Sequence, residues 1–128
     1  MPAPRILIVE DEAPLQALLC QAFTDEGYQV ATARDGVECV NKVATFRPDA
    51  IVMDIMMPKL DGLDTTRLLR RNRSHAEIVI VALSARSDEA TRGAMLQAGA
   101  DLFVRKPFVV ARLIQRVQRL LLARTGPR

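Results

Sequence analysis

Acidic and basic residues that could carry phosphoryl chemistry stand at the ends of short apolar segments. Asp11 follows one such segment between Glu10 and Glu12, Asp54 ends another, and Lys106 follows a third. Crowded carboxylates repel one another unless a cation lies among them, and Mg²⁺, which prefers oxygen ligands, suits such a cluster. A divalent ion and an ammonium can together neutralise a phosphoryl group during its transfer. These residue types therefore predict a magnesium-dependent phosphoryl-transfer site, provided that the fold brings them together.

Each of these residues also has a structural explanation when it is considered alone. An acidic triplet is typical of a solvated loop or a helix cap, and Asp54 could simply form a turn. Ser84 is a common residue at the start of a helix, and Lys106 could be a surface lysine. The chain has only three lysines against 15 arginines, so a compact point charge stands here among arginines. Their joint occurrence at strand ends favours the functional interpretation.

The elements that must position these residues follow from the apolar pattern. Short β-branched segments predict strands at 6–9, 30–33, 50–53, 78–83 and 102–104, and helical spacing predicts five helices between and after them. The first helix has an apolar stripe formed by Leu15, Leu18, Leu19, Ala22 and Phe23. This alternation predicts an α/β fold: a doubly wound, flavodoxin-like (βα)5 chain with a five-stranded parallel sheet of order 2-1-3-4-5 and helices on both faces. Strands one and three are neighbours in this order, so Asp11 and Asp54 should converge.

Length and composition set further limits. With 128 residues, 49% of them hydrophobic, the chain is expected to form one domain, with a core from about 5 to 122 and a tail or linker start at 123–128. No apolar run approaches the roughly 18 to 20 residues of a membrane-spanning helix, and a signal-peptide pattern is missing. Cys20, Cys39 and the single histidine, His75, do not suggest a disulfide framework or a zinc site. We expect a cytoplasmic location.

Charge is distributed unevenly along the chain. Residues 105–128 contain seven basic and no acidic residues, whereas residues 1–104 contain the other eleven basic and all fifteen acidic residues, a net charge of −4. Arg112, Arg116 and Arg119 recur at spacings that place them on one face of the last helix. This face is either simply solvated or a docking edge for a partner. The overall basic pI therefore reflects the tail, and we expect no direct binding of nucleic acid by this domain.

Five motifs in order resemble the receiver domain of two-component response regulators. They are ILIVEDE at 6–12, VMDIMMP at 52–58, DG at 61–62, ALSA at 82–85 and GADLFVRKPF at 99–108. The resemblance extends from residue 5 to about 122. It implies a phosphoacceptor domain that is switched by a partner kinase.

The resemblance also implies individual roles. Asp54 would accept a phosphoryl group from a phosphohistidine on a sensor histidine kinase or a histidine phosphotransfer protein. Mg²⁺ would be bound by Asp11, Asp54 and the backbone carbonyl of Met56, with Glu10 acting through a water molecule. Lys106 would pair with a phosphoryl oxygen.

Ser84 and Phe103 are similar to the switch pair of the family. The Ser84 hydroxyl would bond a phosphoryl oxygen and Phe103 would repack, which would change a surface formed by the fourth helix, fifth strand and fifth helix; simple strand packing is the alternative for Phe103. Lys106–Pro107 would be a cis peptide. Homodimerisation through the same surface is expected to rely more on apolar contact, because Leu102 replaces an acidic residue of DNA-binding members.

Alternatives from other function classes remain. We expect no enzyme activity on outside substrates, only assistance to the domain's own phosphorylation and dephosphorylation. The output would be a DNA-binding domain beyond this chain, or the chain would act alone by protein docking or as a phosphorelay intermediate. A phosphatase with an aspartate nucleophile is a more distant alternative, since it needs a second aspartate where this chain has Met56.

Overall fold

A computed structural model describes residues 3–86 and 88–124 of the chain. Within these residues, five strands alternate with five α-helices, and one short 3₁₀ helix, Arg73–His75, precedes the fourth strand. The strands are β1 (Arg5–Val9), β2 (Gln29–Ala33), β3 (Ala50–Asp54), β4 (Val79–Ser84) and β5 (Leu102–Arg105). The helices are α1 (Ala13–Asp25), α2 (Gly36–Phe46), α3 (Gly62–Arg70), α4 (Glu89–Ala98) and α5 (Val110–Arg124).

The sheet is parallel throughout and has the order β2-β1-β3-β4-β5. This confirms the predicted 2-1-3-4-5 arrangement. Val9 of β1 is in register with Met53 of β3, so the carboxyl ends of these two strands lie side by side. The residues that follow β1 and the last residue of β3 therefore share one edge of the sheet.

Apolar cores cover both faces of the sheet, as predicted. In β1, Ile6 and Ile8 face α1 and α5, while Leu7 and Val9 face the opposite core. On the first face the buried helical residues are Leu19, Phe23, Leu113, Val117 and Leu121. On the second they are Cys39, Val43, Leu69 and Met95 from α2, α3 and α4. Because both faces are covered, β1 is a continuous apolar run rather than an alternating one.

The predicted stripe of α1 is wider than the face that packs. Leu19 and Phe23 are fully buried, whereas Leu18 is 53% exposed. Adjacent helical residues are rotated by about 100° from each other, so Leu18 lies on the flank of the helix when Leu19 points into the core. Sequence spacing alone does not distinguish the packing centre of a stripe from its margin.

Helix α5 continues two residues beyond the expected end of the core at about 122. Arg124 anchors these last residues, since its guanidinium donates to the carbonyl of Glu77 at 3.1 Å and to the Asp49 carboxylate at 2.6 Å. The rest of the predicted tail, residues 125–128, lies outside the described residues. Among the helices within residues 3–86 and 88–124, none has the length and apolar composition that a membrane crossing requires.

Candidate metal centre and acceptor site

Three carboxylates meet at the carboxyl edge of the sheet. Glu10 and Asp11 follow β1, Asp54 ends β3, and one oxygen from each residue lies within 4.8 Å of the others. Glu10 and Asp54 are buried, with 1% and 5% exposure, and Asp11 is exposed. The convergence that the strand order predicted is therefore present. Clustered hard oxygen donors, open to solvent on one side, fit a divalent cation such as Mg²⁺.

Lys106 contacts both buried carboxylates from the loop after β5. Its Nζ atom lies 3.2 Å from Oε1 of Glu10 and 3.2 Å from Oδ2 of Asp54. Burial lowers the pKa of the Lys106 ammonium, but the charges of Asp54 and Glu10 outweigh that effect and leave the pKa above its usual value. A charged ammonium is thus fixed directly beside the Asp54 carboxylate.

The pKa of the Glu10 carboxyl group is set mainly by its burial. Burial, with a further contribution from the Asp54 charge, raises the pKa of Glu10 to about 7, although hydrogen bonding from the Glu12 amide and the Lys106 charge oppose the change. The Glu12 N–H donates to Oε2 of Glu10 at 3.1 Å. A nearby cation would favour the ionised form of such a carboxyl group.

The loop after β3 is held close to the sheet. The amide of Met56 donates to Oδ1 of Asp54 at 3.2 Å, and the amide of Gly62 donates to the Ile55 carbonyl at 2.9 Å. A Cβ atom at position 62 would lie 2.7 Å from Cα of Ile55, so this close approach requires glycine. The Met56 backbone is consequently fixed beside Asp54, while its side chain is 55% exposed.

Ser84 and Phe103 occupy β4 and β5. Ser84 is fully buried, its Oγ accepts the Arg86 amide at 2.9 Å, and its carbonyl accepts the Lys106 amide at 2.8 Å. Phe103 is half-buried and packs against the core on the side of α2, α3 and α4. The Lys106–Pro107 peptide is cis, as the resemblance implies.

Sequence reasoning overlooked Gln16 of α1. Its Nε2 atom donates to the carbonyl of Glu10 at 2.9 Å and to that of Ala33 at 3.2 Å, directly behind the acidic cluster. A single glutamine on a helix carries no pattern that would identify such a contact. Only the three-dimensional arrangement of β1, β2 and α1 does so.

Comparison with known proteins identifies the family to which this fold belongs. The sequence profile described as "Response regulator receiver domain" matches residues 6–118, and the chain belongs to this family. Response regulator MprA from Mycobacterium sp. (strain KMS) is 43% identical over 123 residues, which cover 96% of this chain and 52% of that protein. MprA of Mycobacterium avium has the same identity and 53% coverage. The chain thus spans about half the length of the curated relatives it matches.

Solved structures are similar over nearly the whole chain. The signal receiver domain of a signal transduction histidine kinase from Syntrophus aciditrophicus has a TM-score of 0.90 and 33% identity, covering 98% of this chain and 96% of that one. The receiver domain of sensor histidine kinase PA1611 from Pseudomonas aeruginosa PAO1 has a TM-score of 0.85 and 34% identity, with coverages of 93% and 98%. The latter was solved with a magnesium ion coordinated in its active-site cleft.

Proposed function

We propose that this receiver domain is a magnesium-dependent phosphoacceptor, in which Asp54 takes a phosphoryl group from a phosphohistidine on a sensor histidine kinase or a histidine phosphotransfer protein. The observation that carries the proposal is the position of Asp54. It is a buried carboxylate at the end of β3, 3.2 Å from a lysine ammonium and within a cluster of acidic oxygens.

The proposed transfer starts from Asp54 and Lys106, whose side chains lie 3.2 Å apart. A carboxylate oxygen of Asp54 attacks the phosphorus atom and forms an acyl phosphate, while the bond from phosphorus to the histidine nitrogen breaks and the nitrogen keeps the electron pair. Lys106 neutralises charge on a phosphoryl oxygen, and the Ser84 hydroxyl bonds another. Transfer of this kind depends mainly on positioning and on neutralising charge, with little covalent work by other side chains.

Asp11, Asp54 and the Met56 carbonyl would hold Mg²⁺, with Glu10 acting through a water molecule. When bound, the ion would supply positive charge to the phosphoryl oxygens. The clustered carboxylate oxygens support this assignment, because three carboxylates stand against one ammonium among the residues described for this site.

The domain is proposed to act on itself alone. Its groups assist phosphorylation and dephosphorylation of Asp54, and we infer no enzyme activity on an outside substrate.

For its location we propose the cytoplasm. The two cysteines described, Cys20 and Cys39, are free thiols, and a reducing compartment keeps thiols in this form.

A switch from Asp54 to the surface is proposed to run through Ser84 and Phe103. The Ser84 hydroxyl would move to the phosphoryl group, and Phe103 would repack towards the space released, which would alter the α4-β5-α5 surface. NMR of the free and phosphorylated protein tests this idea. Identical chemical shifts around Phe103 in the two states would contradict the switch and show that Phe103 only packs in the strand.

For the output, we propose a C-terminal, DNA-binding domain in a longer regulator, since the curated relatives are about twice as long as this chain. Homodimerisation through α4-β5-α5 is proposed to accompany activation. A stand-alone receiver or a phosphorelay intermediate is the second candidate. Its support is the similarity of this chain to receiver domains of histidine kinases. The length of the encoding reading frame distinguishes the two.

Incubation with Mg²⁺ and acetyl phosphate tests the central chemistry. The wild-type protein should gain acid-stable, hydroxylamine-labile phosphate, and Asp54→Ala should gain none. Incorporation that is absent from the wild type, or retained in Asp54→Ala, would contradict the proposal.

A further inference from the structure

The start of α1 is held differently from the starts of α2, α3 and α4. Among the described residues, Asp35, Asp61 and Asp88 cap α2, α3 and α4, and their side chains accept backbone amides at 2.8 to 3.0 Å. Glu12, at the same position before α1, makes no side-chain cap within this described segment. Capping bonds of this type normally fix the entry into a helix. The loop that carries Glu10 and Asp11 must therefore be fixed in another way.

Gln16 supplies that contact from inside the fold. Its Nε2 atom donates to the carbonyls of Glu10 and Ala33, at 2.9 and 3.2 Å. Since both partners can only accept, the amide nitrogen must face them. The backbone N–H of Glu10 also donates to the Ala33 carbonyl at 3.0 Å, and the backbone N–H of Gln16 donates to the Glu12 carbonyl at 3.0 Å. Residues 10–16 thus form a closed ring of hydrogen bonds that is tied to the end of β2.

A second contact of this loop depends on the Glu10 carboxylate, which also belongs to the acidic cluster. The Glu10 carboxylate accepts the Glu12 amide at 3.1 Å, and the same carboxylate contacts Lys106 and belongs to the acidic cluster. Any rearrangement of that carboxylate around a cation would disturb its hold on the loop. Gln16 holds the loop through a backbone carbonyl, so it uses no ligand atom and adds no charge near the three carboxylates.

We propose that Gln16 is a positioning residue for the Mg²⁺ site: its side-chain amide fixes the backbone at Glu10 so that Glu10 and Asp11 present their oxygens beside Asp54. This inference rests on the proposed function. It assigns to α1 a part in metal binding that is separate from its apolar packing through Leu19 and Phe23. Groups that orient metal ligands typically change metal affinity when they are removed.

Gln16→Met tests the inference because methionine keeps the length and most of the volume of glutamine but lacks the donor. Gln21→Met is the matched control, since Gln21 is exposed on the same helix and bonds only the Asp25 side chain among the contacts described for it. Mg²⁺ alone is titrated into each protein, and backbone amide shifts are followed by NMR. We expect the Mg²⁺ dissociation constant of Gln16→Met to rise about tenfold and that of Gln21→Met to match the wild type.

Two further measurements separate positioning from general stability. Denaturant unfolding of both variants gives their stabilities, and hydrogen exchange in metal-free protein should be faster at the amides of residues 10–12 in Gln16→Met alone. Weaker Mg²⁺ binding that persists when both variants are fully folded supports the inference. A Gln16→Met dissociation constant equal to that of Gln21→Met, with saturable wild-type binding, would overturn the inference and leave the proposed function intact. Wild-type protein that shows no saturable Mg²⁺ shifts would overturn both.

Discussion

Both edges of the sheet bring an aspartate of the β3 region against a cation, yet the two contacts differ in charge balance. The amino edge is the side of the sheet where the strands begin. There, Oδ1 of Asp49 accepts a hydrogen bond from the Arg124 guanidinium at 2.6 Å, and Oδ2 accepts one from the backbone N–H of Arg5 at 2.7 Å. Each carboxylate oxygen there has its own donor. At the carboxyl edge, by contrast, the buried carboxylates of Glu10 and Asp54 share the ammonium of Lys106, and Asp11 lies beside them.

This difference separates a structural ion pair from a site that can receive a ligand. Asp49 joins the start of β1 to the last turn of α5 and has its hydrogen bonds satisfied. The acidic cluster has three carboxylates for one ammonium among the described residues, and burial raises the pKa of Glu10 to about 7. Residues of the same chemical types therefore stabilise the fold at one edge and leave a charge surplus at the other.

The largest effect is expected from Lys106→Met. Loss of the ammonium removes the positive charge beside Asp54, and we expect phosphorylation by acetyl phosphate to slow about 10²-fold, because a fixed group that stabilises developing charge contributes on that scale. Lys42→Met, a change of an exposed lysine on α2, should leave the rate unaltered. Equal rates in the two variants would show that the carboxyl edge does not use its ammonium in catalysis.

Asp49→Asn should produce the opposite pattern. We expect the free energy of unfolding to fall by about 1–2 kcal/mol, because hydrogen bonds to Arg124 and Arg5 lose their charged acceptor in a partly exposed site. The rate of phosphorylation should be unchanged. Denaturant unfolding measures the first quantity, and Asp25→Asn on the exposed end of α1 serves as the control. A slow phosphorylation rate in folded Asp49→Asn would join the two edges functionally and contradict the comparison.

The sequence could predict the carboxyl edge better than the amino edge. Alternating strand and helix patterns predict a parallel sheet, and the residues that directly follow the strands of such a sheet share an edge. Glu10, Asp11, Asp54 and Lys106 were accessible to that reasoning because each stands at a strand end.

The contacts that could not be predicted from the sequence involve no local pattern of residues. Asp49 and Arg124 are 75 positions apart and resemble ordinary surface charges in the sequence. The hydrogen bonds of Gln16 depend on how α1 lies across the ends of β1 and β2. The exposure of Leu18 likewise depends on the rotation of α1 on the sheet, which residue spacing defines only within a broad face.

The pH dependence of stability should report the burial of Glu10 at the carboxyl edge. Glu10 has a folded-state pKa of about 7, above its ordinary 4.5, so between these values the folded state binds more protons than the unfolded state. Without divalent cations, the stability of wild type relative to Glu10→Gln should fall as pH rises through this window, by about 3 kcal/mol at most. Unfolding free energies of the two proteins measure the difference, and parallel pH curves would contradict it. Added Mg²⁺ should reduce the fall.

The smallest effect on folding is expected on the exposed face of α5. Arg116 lies on this face with Arg112 and Arg119, opposite the buried Leu113 and Val117. Arg116→Glu should change the unfolding free energy by only about 0.5 kcal/mol or less, as for other exposed positions. If this face docks a partner, charge reversal should weaken phosphorylation by the kinase, partner binding or self-association. Gln115→Glu serves as the control. If Arg116→Glu changes neither phosphorylation by the kinase, nor partner binding, nor self-association, the face is simply solvated.

Chemical trapping of the phosphorylated residue identifies the side chain that accepts the phosphoryl group. After incubation with acetyl phosphate and Mg²⁺, borohydride reduction converts an aspartyl phosphate to homoserine, and peptide mass spectrometry identifies the position. We expect homoserine at position 54 and unmodified aspartate at position 49. Trapping at Asp11 or Asp49 instead, or at no residue of a folded protein that binds Mg²⁺, would contradict the assignment of Asp54 as the phosphoacceptor.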